Sequence, residues 1–342
     1  MPEFNALLAN LADGGLLSAD QAEAAFEQIM AGNVAPLQLA AFLMALRVRG
    51  ETVDEIIGGA RVLRNRVLSL DAPAGAVDTC GTGGDGIGTY NISTAAAIVT
   101  AAAGSIVAKH GNRSVSSKSG SADVLKALGA NFDIEVKDHE ESLERFGFTF
   151  MFAPAHHHAM KHVAPVRSAL KLRTIFNLIG PLSNPAKTKH QILGVYDKRW
   201  LRPMAEVLQA LGSDHVWVVH GEDGLDELTV TGKTLVAELK DGIITEFEIS
   251  PGDAGLPVSS LESLKGGEAE ENAFAITALL DGEASSYRDI VVLNSAAALL
   301  VTGVAADLAD GAERAATAID SGKAKTLLAD WISFTNRKTV GA

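Results

Sequence analysis

Residues 77–86 read VDTCGTGGDG, a short apolar strand that runs directly into a glycine-rich loop. Four of the six residues from Gly81 to Gly86 are glycine, so backbone N–H groups can close around an anion. The polar string NIST at 91–94 then precedes an apolar run at 95–103, which predicts a helix with an N-cap cluster at its start. Because helix N-termini attract anions, this strand–loop–helix unit predicts a phosphate site.

The loop also matches the dinucleotide-binding pattern Gly-x-Gly-x-x-Gly through Gly81, Gly83 and Gly86. In that fold the helix begins inside the glycine motif and the second strand ends in a carboxylate. Here the predicted helix begins later, and the predicted second strand at 105–108 ends in Lys109. The ATP-binding pattern with Gly-Lys-Ser/Thr is absent as well. On this loop alone, a glycine-rich turn without a ligand stays open.

The next loop, KHGNRSVSSKSGS at 109–121, combines cations, five hydroxyl groups and two glycines. This composition favours a highly charged phosphate ester, since ammonium, guanidinium, hydroxyl and backbone N–H groups all donate to phosphate oxygens. An amphipathic helix is predicted from Ala122 to Leu128, with Ser121 as its N-cap. Two consecutive strand–loop–helix units therefore predict two helix N-termini that face one anion.

Residues 1–70, before this region, read as a small helical domain. Apolar residues recur at helical spacing over the segments 22–30, 37–47 and 53–65. The second segment carries apolar side chains that periodicity assigns equally well to a core or to a dimer contact: Leu39, Phe42, Leu43 and Leu46.

Strand and helix patterns alternate beyond a connection at residues 72–75, which predicts a large α/β domain with a mostly parallel central sheet. A chain of 342 residues exceeds the usual size of a single core, in agreement with one large and one small domain. The further predicted strands are 148–152, 191–196, 215–220 and 290–293, and the further predicted helices are 201–211 and 271–279.

Composition excludes several classes of protein. A hydrophobic fraction of 47% indicates a packed core rather than a disordered chain. The formal net charge of −13 disfavours nucleic-acid and anionic-membrane partners, because both bind basic surfaces. Cys80 is the only cysteine, which excludes an intrachain disulfide and a thiolate metal cluster. With no export signal at the start and no apolar run long enough to span a bilayer, a soluble, cytoplasmic protein is expected.

Two further clusters could bind a metal. Asp226 and Glu227 lie in an acidic loop after an apolar strand, where their oxygens suit Mg²⁺, although such a loop is usually only solvated. A histidine cluster includes one pair at helical spacing, but the zinc pattern His-Glu-x-x-His and nearby cysteines are absent. Zinc is therefore disfavoured at this cluster, which consists of His156, His157, His158 and His162.

Seven distinctive strings occur in order along the chain: GTGGD at 81–85, NIST at 91–94, KHGNRSVSS at 109–117, SGSADVL at 119–125, MKHVAPVR at 160–167, RTIFNLIGPLSNP at 173–185 and DELT at 226–229. Through these strings, nearly the whole chain resembles the anthranilate phosphoribosyltransferases. Long, ordered strings of this kind are far more specific than a lone glycine motif.

The resemblance implies a fold of the nucleoside phosphorylase and class III phosphoribosyltransferase type. A small helical domain, residues 1–70, would be joined by a returning segment near 165–184, and residues 71–164 and 185–342 would form the large α/β domain. The active site would lie in the cleft between the domains, and a hinge motion would close it. The resemblance also implies a homodimer formed through the helical domain.

The implied reaction transfers the 5-phosphoribosyl group from phosphoribosyl pyrophosphate to the amine of anthranilate, in tryptophan biosynthesis. Two Mg²⁺ ions per subunit are implied, with Ser93 on one, Asp226 on the other and Glu227 on both. Anthranilate would contact Gly81, Asn112 and the bidentate guanidinium of Arg167. Phosphoribosyl pyrophosphate would be bound by Gly81, Gly84, Asp85, Thr89, Asn91, Ile92, Ser93, Thr94, Lys109, His110, Gly111, Asn112, Arg113, Ser114, Val115, Ser116, Ser117 and Ser121.

One histidine is expected to line the path of the aromatic acceptor. The run His156-His157-His158 replaces the His-Pro pair of many family members, so which of these residues or His162 faces the acceptor stays open.

Three alternatives to the transferase have the same kind of pocket. A pyrimidine-nucleoside phosphorylase shares this fold, but it uses inorganic phosphate and needs no metal carboxylates, so Asp226 and Glu227 argue against it. A non-catalytic phosphoribosyl-ligand sensor would be favoured by loss of these carboxylates or of Arg167, and all three are present. A nucleic-acid-binding relative is disfavoured by the acidic charge balance.

Overall fold

One seven-stranded sheet forms the centre of the computed structural model, which describes residues 3–113 and 118–337. The strands are β1 (Val77–Gly81), β2 (Val107–Gly111), β3 (Phe148–Phe152), β4 (His190–Gly194), β5 (His215–Gly221), β6 (Thr234–Lys240) and β7 (Ile243–Ile249). Their order is β3-β2-β1-β4-β5-β6-β7; the first five run parallel, and β6 and β7 are antiparallel to their neighbours. The predicted mostly parallel sheet is confirmed.

Helices surround the sheet, and the first four of them form an N-terminal group. Within the described residues they are α1 (Phe4–Ala12), α2 (Ala19–Met30), α3 (Pro36–Arg49), α4 (Val53–Arg66), α5 (Ile92–Ala102), α6 (Ser121–Ala127), α7 (Val136–Phe146), α8 (Ala153–His156), α9 (Ala164–Leu170), α10 (Ile175–Ile179), α11 (Leu201–Ala210), α12 (Ala269–Leu280), α13 (Ser286–Val301), α14 (Leu308–Asp320) and α15 (Lys323–Thr335). Short 3₁₀ turns lie at His158–His162, Gly180–Leu182, Lys198–Trp200, Pro251–Ala254 and Leu261–Leu264. No helix of these described segments is long and apolar enough to cross a bilayer.

Helices α1 to α4 share one hydrophobic cluster with α9 and α10. The ring of Phe26 in α2 lies 5.8 Å from that of Phe42 in α3 and 5.7 Å from that of Phe176 in α10, edge to face in both pairs. The chain segment around α9 and α10 thus returns to the N-terminal helices. The apolar residues left open between core and dimer contact are all buried in this cluster: Leu39, Phe42, Leu43 and Leu46.

Both faces of the sheet are covered, as a parallel sheet requires. On one face, α5 and α13 pack against each other and form the larger hydrophobic cluster together with α12, α14 and α15. On the other face, α11 packs against β5 and β6. The carboxyl ends of the parallel strands therefore remain the accessible edge, which is where ligands bind in sheets of this kind.

Two predicted strands differ from the structure. Residues 290–293 belong to α13 and not to a strand. This helix is buried on nearly every side, and a continuous apolar run does not distinguish a buried helix from a buried strand. The strand predicted at 105–108 is β2, which begins at Val107, so Lys109 lies inside the strand rather than after it.

Candidate active site

A cleft of about 770 Å³ opens at the carboxyl ends of β1 and β2. Its walls come from the loop after β1, the loop after β2, the returning segment and the turn with Asp226 and Glu227. Arg167 and Phe176, which belong to the returning segment, thus face residues of the sheet across one cleft.

The glycine loop after β1 turns through conformations that favour glycine. Gly83 and Gly84 have φ angles of 66° and 78°. The carboxylate of Asp85 accepts a hydrogen bond from the N–H of Ile87 at 3.1 Å, which stabilises the turn locally. Burial raises the pKa of Asp85. Residues 80–93 all line the cleft, so this loop forms one complete wall of it.

Asp226 lies against two glycines that are neighbours on adjacent strands. Gly81 at the end of β1 pairs in register with Gly194 at the end of β4. A Cβ atom at Gly81 would clash with the Asp226 carboxylate, and one at Gly194 would clash with the Asp226 backbone. The carboxylate accepts a hydrogen bond from the N–H of Gly83 at 2.7 Å. The two glycines therefore make the space that the acidic side chain occupies.

Glu227 reaches the start of α5, where its carboxylate accepts a hydrogen bond from the N–H of Ser93 at 3.2 Å. Burial, and then repulsion by Asp85, raise the pKa of Asp226 to about 7. Burial, and then repulsion by Asp226, raise the pKa of Glu227 to about 8. The two carboxylates are thus buried together without enough nearby positive charge to balance them.

The pair of Asp226 and Glu227 suits a divalent cation that is also coordinated by a bound ligand. Within residues 3–113 and 118–337, no three His, Cys, Asp or Glu side chains are grouped to hold a metal ion by themselves. Mg²⁺ is commonly bound through one or two carboxylates together with substrate phosphates. Asp226 and Glu227 therefore suit an Mg²⁺ ion whose remaining ligands are phosphate oxygens and water.

β1 and β2 pair at a single position, whereas β1 and β4 pair along their full length. Lys109 and Asp78 connect β1 and β2 where the backbone pairing is missing. There, Lys109 Nζ donates to the carbonyl of Thr79, and the Asp78 carboxylate accepts from the N–H of His110 at 3.1 Å. Burial lowers the pKa of Lys109, and Asp78 opposes this effect. Two of the three ammonium donors remain for an anion in the cleft.

Asn91 and Thr94 connect the start of α5 to neighbouring segments. Asn91 is the N-cap residue of α5, but its side chain makes no cap bond. Its amide oxygen accepts instead from Ser119 Oγ at 3.3 Å and from Asn272 Nδ2 at 2.9 Å. Thr94 is buried, and its hydroxyl donates to Ser121 Oγ at 3.0 Å. These bonds join the two loops that the sequence predicts to form one phosphate site.

Three other expected ligand residues also have contacts within the protein. Ser121 is the first residue of α6, so the prediction that it is the N-cap was wrong; Gly120 is the N-cap, and its N–H donates to Asp123 at 2.9 Å. The side chain of Ile92 is buried in the larger hydrophobic cluster. Thr89 forms an isolated β-bridge with Lys265. All three nevertheless line the cleft.

The described part of the loop after β2 is packed against aromatic rings. A Cβ atom at Gly111 would approach the Phe150 ring to 2.7 Å, so only glycine fits there. Asn112 is exposed, and its side-chain Oδ1 accepts a hydrogen bond from the backbone N–H of Arg113 at 2.7 Å. The Arg113 guanidinium lies 5.7 Å from the centroid of the Phe152 ring. The expected ligands Ser114, Val115, Ser116 and Ser117 lie outside the described residues.

Arg167 in α9 presents a largely buried guanidinium to the cleft, 5.5 Å from the centroid of the Phe176 ring. Burial alone lowers its pKa, and no carboxylate of the described residues acts on it. A buried guanidinium without an acidic partner, next to an aromatic ring, suits a ligand that carries both a carboxylate and an aromatic ring.

The histidine cluster divides into two buried and two exposed residues. His156 donates from Nδ1 to the carbonyl of Leu68 at 2.8 Å. His157 lies 5.1 Å from His110, ring centre to ring centre, and His110 lines the cleft. His158 and His162 are exposed. His157 is thus the member of the cluster in contact with a cleft residue.

Phe176, Asn177 and Lys265 are among the cleft residues that sequence reasoning did not assign to the site. The first two lie in the string RTIFNLIGPLSNP, so the signal was present although no role was read from it. Lys265 donates from Nζ to the carbonyl of Ile87 at 2.7 Å and so connects to the glycine loop from far along the chain. No local pattern around Lys265 marked it.

Comparisons with known proteins cover both parts of the chain. Residues 74–325 match a model described as glycosyl transferase family, a/b domain, and residues 5–67 match one described as glycosyl transferase family, helical bundle domain. The anthranilate phosphoribosyltransferase of Parvibaculum lavamentivorans is 60% identical over 338 residues, which are 99% of each chain. That of Rhodospirillum rubrum is 58% identical over 332 residues, which are 97% of this chain and 96% of the relative.

Solved structures show the same relationship. The Thermus thermophilus anthranilate phosphoribosyltransferase has a TM-score of 0.90 at 42% identity and covers 96% of this chain and 99% of its own. The Saccharomyces cerevisiae enzyme in complex with PRPP and Mg has a TM-score of 0.88 at 27% identity over 97% of both chains. The same yeast enzyme in complex with 4-fluoroanthranilate has a TM-score of 0.86 at 26% identity, over 97% of this chain and 98% of its own. With its fold, its cleft and its nearly full-length relatives in agreement, this chain belongs to the anthranilate phosphoribosyltransferase family of glycosyltransferases.

Proposed function

We propose that the cleft transfers the 5-phosphoribosyl group of phosphoribosyl pyrophosphate to the amine of anthranilate, giving N-(5-phosphoribosyl)anthranilate and pyrophosphate. The observation that carries this proposal is the presence, in one cleft, of a carboxylate pair with raised pKa values and a largely buried guanidinium without an acidic partner among the described residues. Asp226 and Glu227 suit a metal pyrophosphate, and Arg167 suits an aromatic carboxylate. A phosphorylase that uses inorganic phosphate has no need for the acidic pair, and a sensor has no need for leaving-group stabilisation.

Phosphoribosyl pyrophosphate is bound by the loop after β1, the loop after β2 and the start of α5. Lys109 supplies the most deeply buried cation of this group, with donors left for a phosphate oxygen. Backbone N–H groups of the glycine loop and of the first turn of α5 add uncharged donors. Together they stabilise the negative charge that the pyrophosphate gains as its bond to the anomeric carbon breaks.

Asp226, Glu227 and Ser93 are the residues that would hold Mg²⁺, two ions per subunit. Ser93 would serve one ion, Asp226 would serve the other, and Glu227 would serve both. Their support is the hydrogen bond from the Ser93 N–H to Glu227, which places the hydroxyl-bearing residue beside the acidic pair. Bound Mg²⁺ supplies further charge neutralisation for the leaving pyrophosphate.

Anthranilate is bound by Arg167, with Asn112 and Gly81 as further contacts. The guanidinium takes the carboxylate through two parallel hydrogen bonds and so orients the aromatic amine. This amine is already neutral near pH 7 and needs no strong base before it attacks the anomeric carbon. We therefore assign no catalytic nucleophile or general base. Positioning and charge stabilisation supply most of the rate, through a transition state with oxocarbenium character.

The larger organisation follows from the same family. We infer a helical domain of residues 1–70 joined by the returning segment near 165–184, an α/β domain of residues 71–164 and 185–342, and a hinge motion that closes the cleft. The ring contact between Phe26 and Phe176 supports this connection. A homodimer forms through the helical domain, where Leu37 and Val48 of α3 are 86% and 81% exposed. The enzyme works in the cytoplasm.

The first test mixes purified protein with anthranilate, phosphoribosyl pyrophosphate and Mg²⁺ and follows anthranilate fluorescence. Loss of fluorescence only in the complete mixture is the expected result, with controls that lack each component in turn. No loss with a demonstrably folded protein would favour the phosphorylase or the sensor.

A further inference from the structure

The turn that carries Asp226 and Glu227 is anchored from behind by α13. Asn294 of α13 is 2% exposed, and its amide pairs with both backbone polar groups of Leu228. Its oxygen accepts from the Leu228 N–H at 3.1 Å, and its nitrogen donates to the Leu228 carbonyl at 2.8 Å. The nitrogen also donates to the carbonyl of Ile290, one helical turn earlier, at 2.8 Å.

This arrangement requires a short primary amide. Asparagine presents a donor and an acceptor in one plane, which matches the N–H and the C=O of Leu228. Aspartate lacks the donor, and leucine has a similar shape with neither group. The additional bond to Ile290 within α13 restricts the rotamer of Asn294, so the amide is held in place before it meets the turn.

The same turn is also closed on itself. The Asp223 carboxylate accepts from the N–H of Leu225 at 3.2 Å and from the hydroxyls of Thr229 and Thr231, each at 2.6 Å. These bonds shape the turn internally but connect it to no other element. The pairing of Asn294 with Leu228, directly after Glu227, thus anchors the backbone of the turn to α13.

We propose that Asn294 is a positioning residue that holds the Asp226 and Glu227 carboxylates in place for the metal pyrophosphate. This inference rests on the proposed function, because it takes these two carboxylates as metal ligands. Asn294 acts through Leu228, which is fully buried. Without the amide, the N–H and C=O of Leu228 lose their partners in a buried place, and the turn can recover partners only by moving.

The test compares Asn294→Leu with Ser295→Ala. Ser295 is the next residue of α13 and is also buried, but its hydroxyl bonds to the carbonyls of Val291 and Ala96 and not to the turn. One readout is the Mg²⁺ concentration at half-maximal turnover. The other, independent of turnover, is the Kd of Mn²⁺ measured by electron paramagnetic resonance with phosphoribosyl pyrophosphate present.

Asn294→Leu is expected to weaken both metal constants by about 10- to 100-fold, the usual effect of removing a group that orients a metal ligand. Ser295→Ala should leave both constants near the wild-type values. Asn294→Ser, which also lacks the paired amide but creates less crowding, serves if the leucine variant does not fold. Equal metal constants in the Asn294 variants and in Ser295→Ala would overturn the proposal.

Asp226→Asn separates this inference from the proposed function. If metal binding is weakened in Asp226→Asn but unchanged in the Asn294 variants, the positioning role of Asn294 is wrong and the metal role of the acidic pair stands. Unchanged metal binding in Asp226→Asn overturns the metal role of the acidic pair and the anchor with it.

Discussion

Asp226 and Glu227 are placed where their charged forms are unfavourable. Asp226 is buried and Glu227 beside it is half-buried. The glycines at the ends of β1 and β4 leave the space that Asp226 occupies. A protein selected only for stability would place neutral side chains here, and functional sites commonly carry such a cost. The cost should therefore be measurable in the metal-free protein as a function of pH.

A double variant, Asp226→Asn with Glu227→Gln, should be more stable than the wild type in EDTA. In the folded chain the pKa values of Asp226 and Glu227 are about 7 and about 8, above their ordinary values of 3.8 and 4.5. Between these two sets of pKa values the folded state binds more protons than the unfolded state. The free energy of unfolding therefore falls as the pH rises from about 4 to 8. The gain in Tm, by differential scanning fluorimetry, should grow across this range and reach about 2 °C or more at pH 8.5.

The same double variant should lose metal-dependent turnover. A gain in Tm that does not change with pH would contradict the proposed titration of the pair, because a packing effect alone has no reason to follow pH.

Arg167 permits a second prediction at the residue scale. Arg167→Ala removes the guanidinium expected to bind the anthranilate carboxylate. Loss of a charged hydrogen-bonding group of this kind should raise the KM for anthranilate by about 10- to 100-fold. The KM for phosphoribosyl pyrophosphate should change little, as measured by fluorescence-based steady-state kinetics. Arg202→Ala, at an exposed arginine of α11, is the control. Equal effects on both substrates would show that Arg167 does not act on the acceptor alone.

At the scale of elements, the site depends on where strands end. β1 and β4 end together at Gly81 and Gly194, and the turn with Asp226 crosses over that end. Close approach of backbone to backbone is possible there because neither strand has a side chain at its last position. The glycine-rich sequence thus permits this backbone contact in addition to its proposed role in anion binding.

Gly194→Ala should displace the turn and reduce both stability and turnover, because its Cβ would overlap the Asp226 carbonyl. Clashes with backbone cannot be relieved by a side-chain rotation, so a loss of about 1–3 kcal/mol is expected from denaturant titration. Gly252→Ala is the matched control, since its Cβ would have only Ser250 Oγ at 3.7 Å. Wild-type turnover in Gly194→Ala would contradict this account of the turn.

At the scale of the whole molecule, the helical layer and the sheet layer contribute different parts of one cleft. Arg167 and Phe176 come from the returning segment, while Lys109, Asp226 and Glu227 come from the sheet edge. Under the proposed assignment, different layers carry the acceptor and donor sites, so closure of the cleft would bring the two substrates together.

The proposed homodimer can be tested on α3. Leu39, Phe42, Leu43 and Leu46 are inside the core, so the contact must use the opposite side of the helix, where Leu37 and Val48 are exposed. The wild type is expected to be a dimer by light scattering, and Leu37→Glu with Val48→Glu should be a monomer because charges would enter an apolar contact. Val258→Glu, an exposed valine before the 3₁₀ turn at Leu261–Leu264, is the control. A wild type that is monomeric across working concentrations would defeat the proposal.

The amino-acid sequence by itself determined the features that are encoded locally. Glycine spacing marked the loop at 81–86, periodicity marked α2, α3 and α4 to within three residues, and alternation marked the parallel sheet. Ordered strings such as KHGNRSVSS identified the family resemblance, which the relatives confirmed. Each of these signals is read from a short stretch of neighbouring residues.

Only the tertiary structure decided which distant residues meet. It placed Gly194 against Asp226, Lys265 against the glycine loop, and Asn294 against the turn after Glu227. It also decided that residues 290–293 form helix and that the apolar face of α3 is core. The physical reason is that hydrophobic pattern reports which side of an element is buried but not what buries it, because packing partners lie tens to hundreds of residues away along the chain.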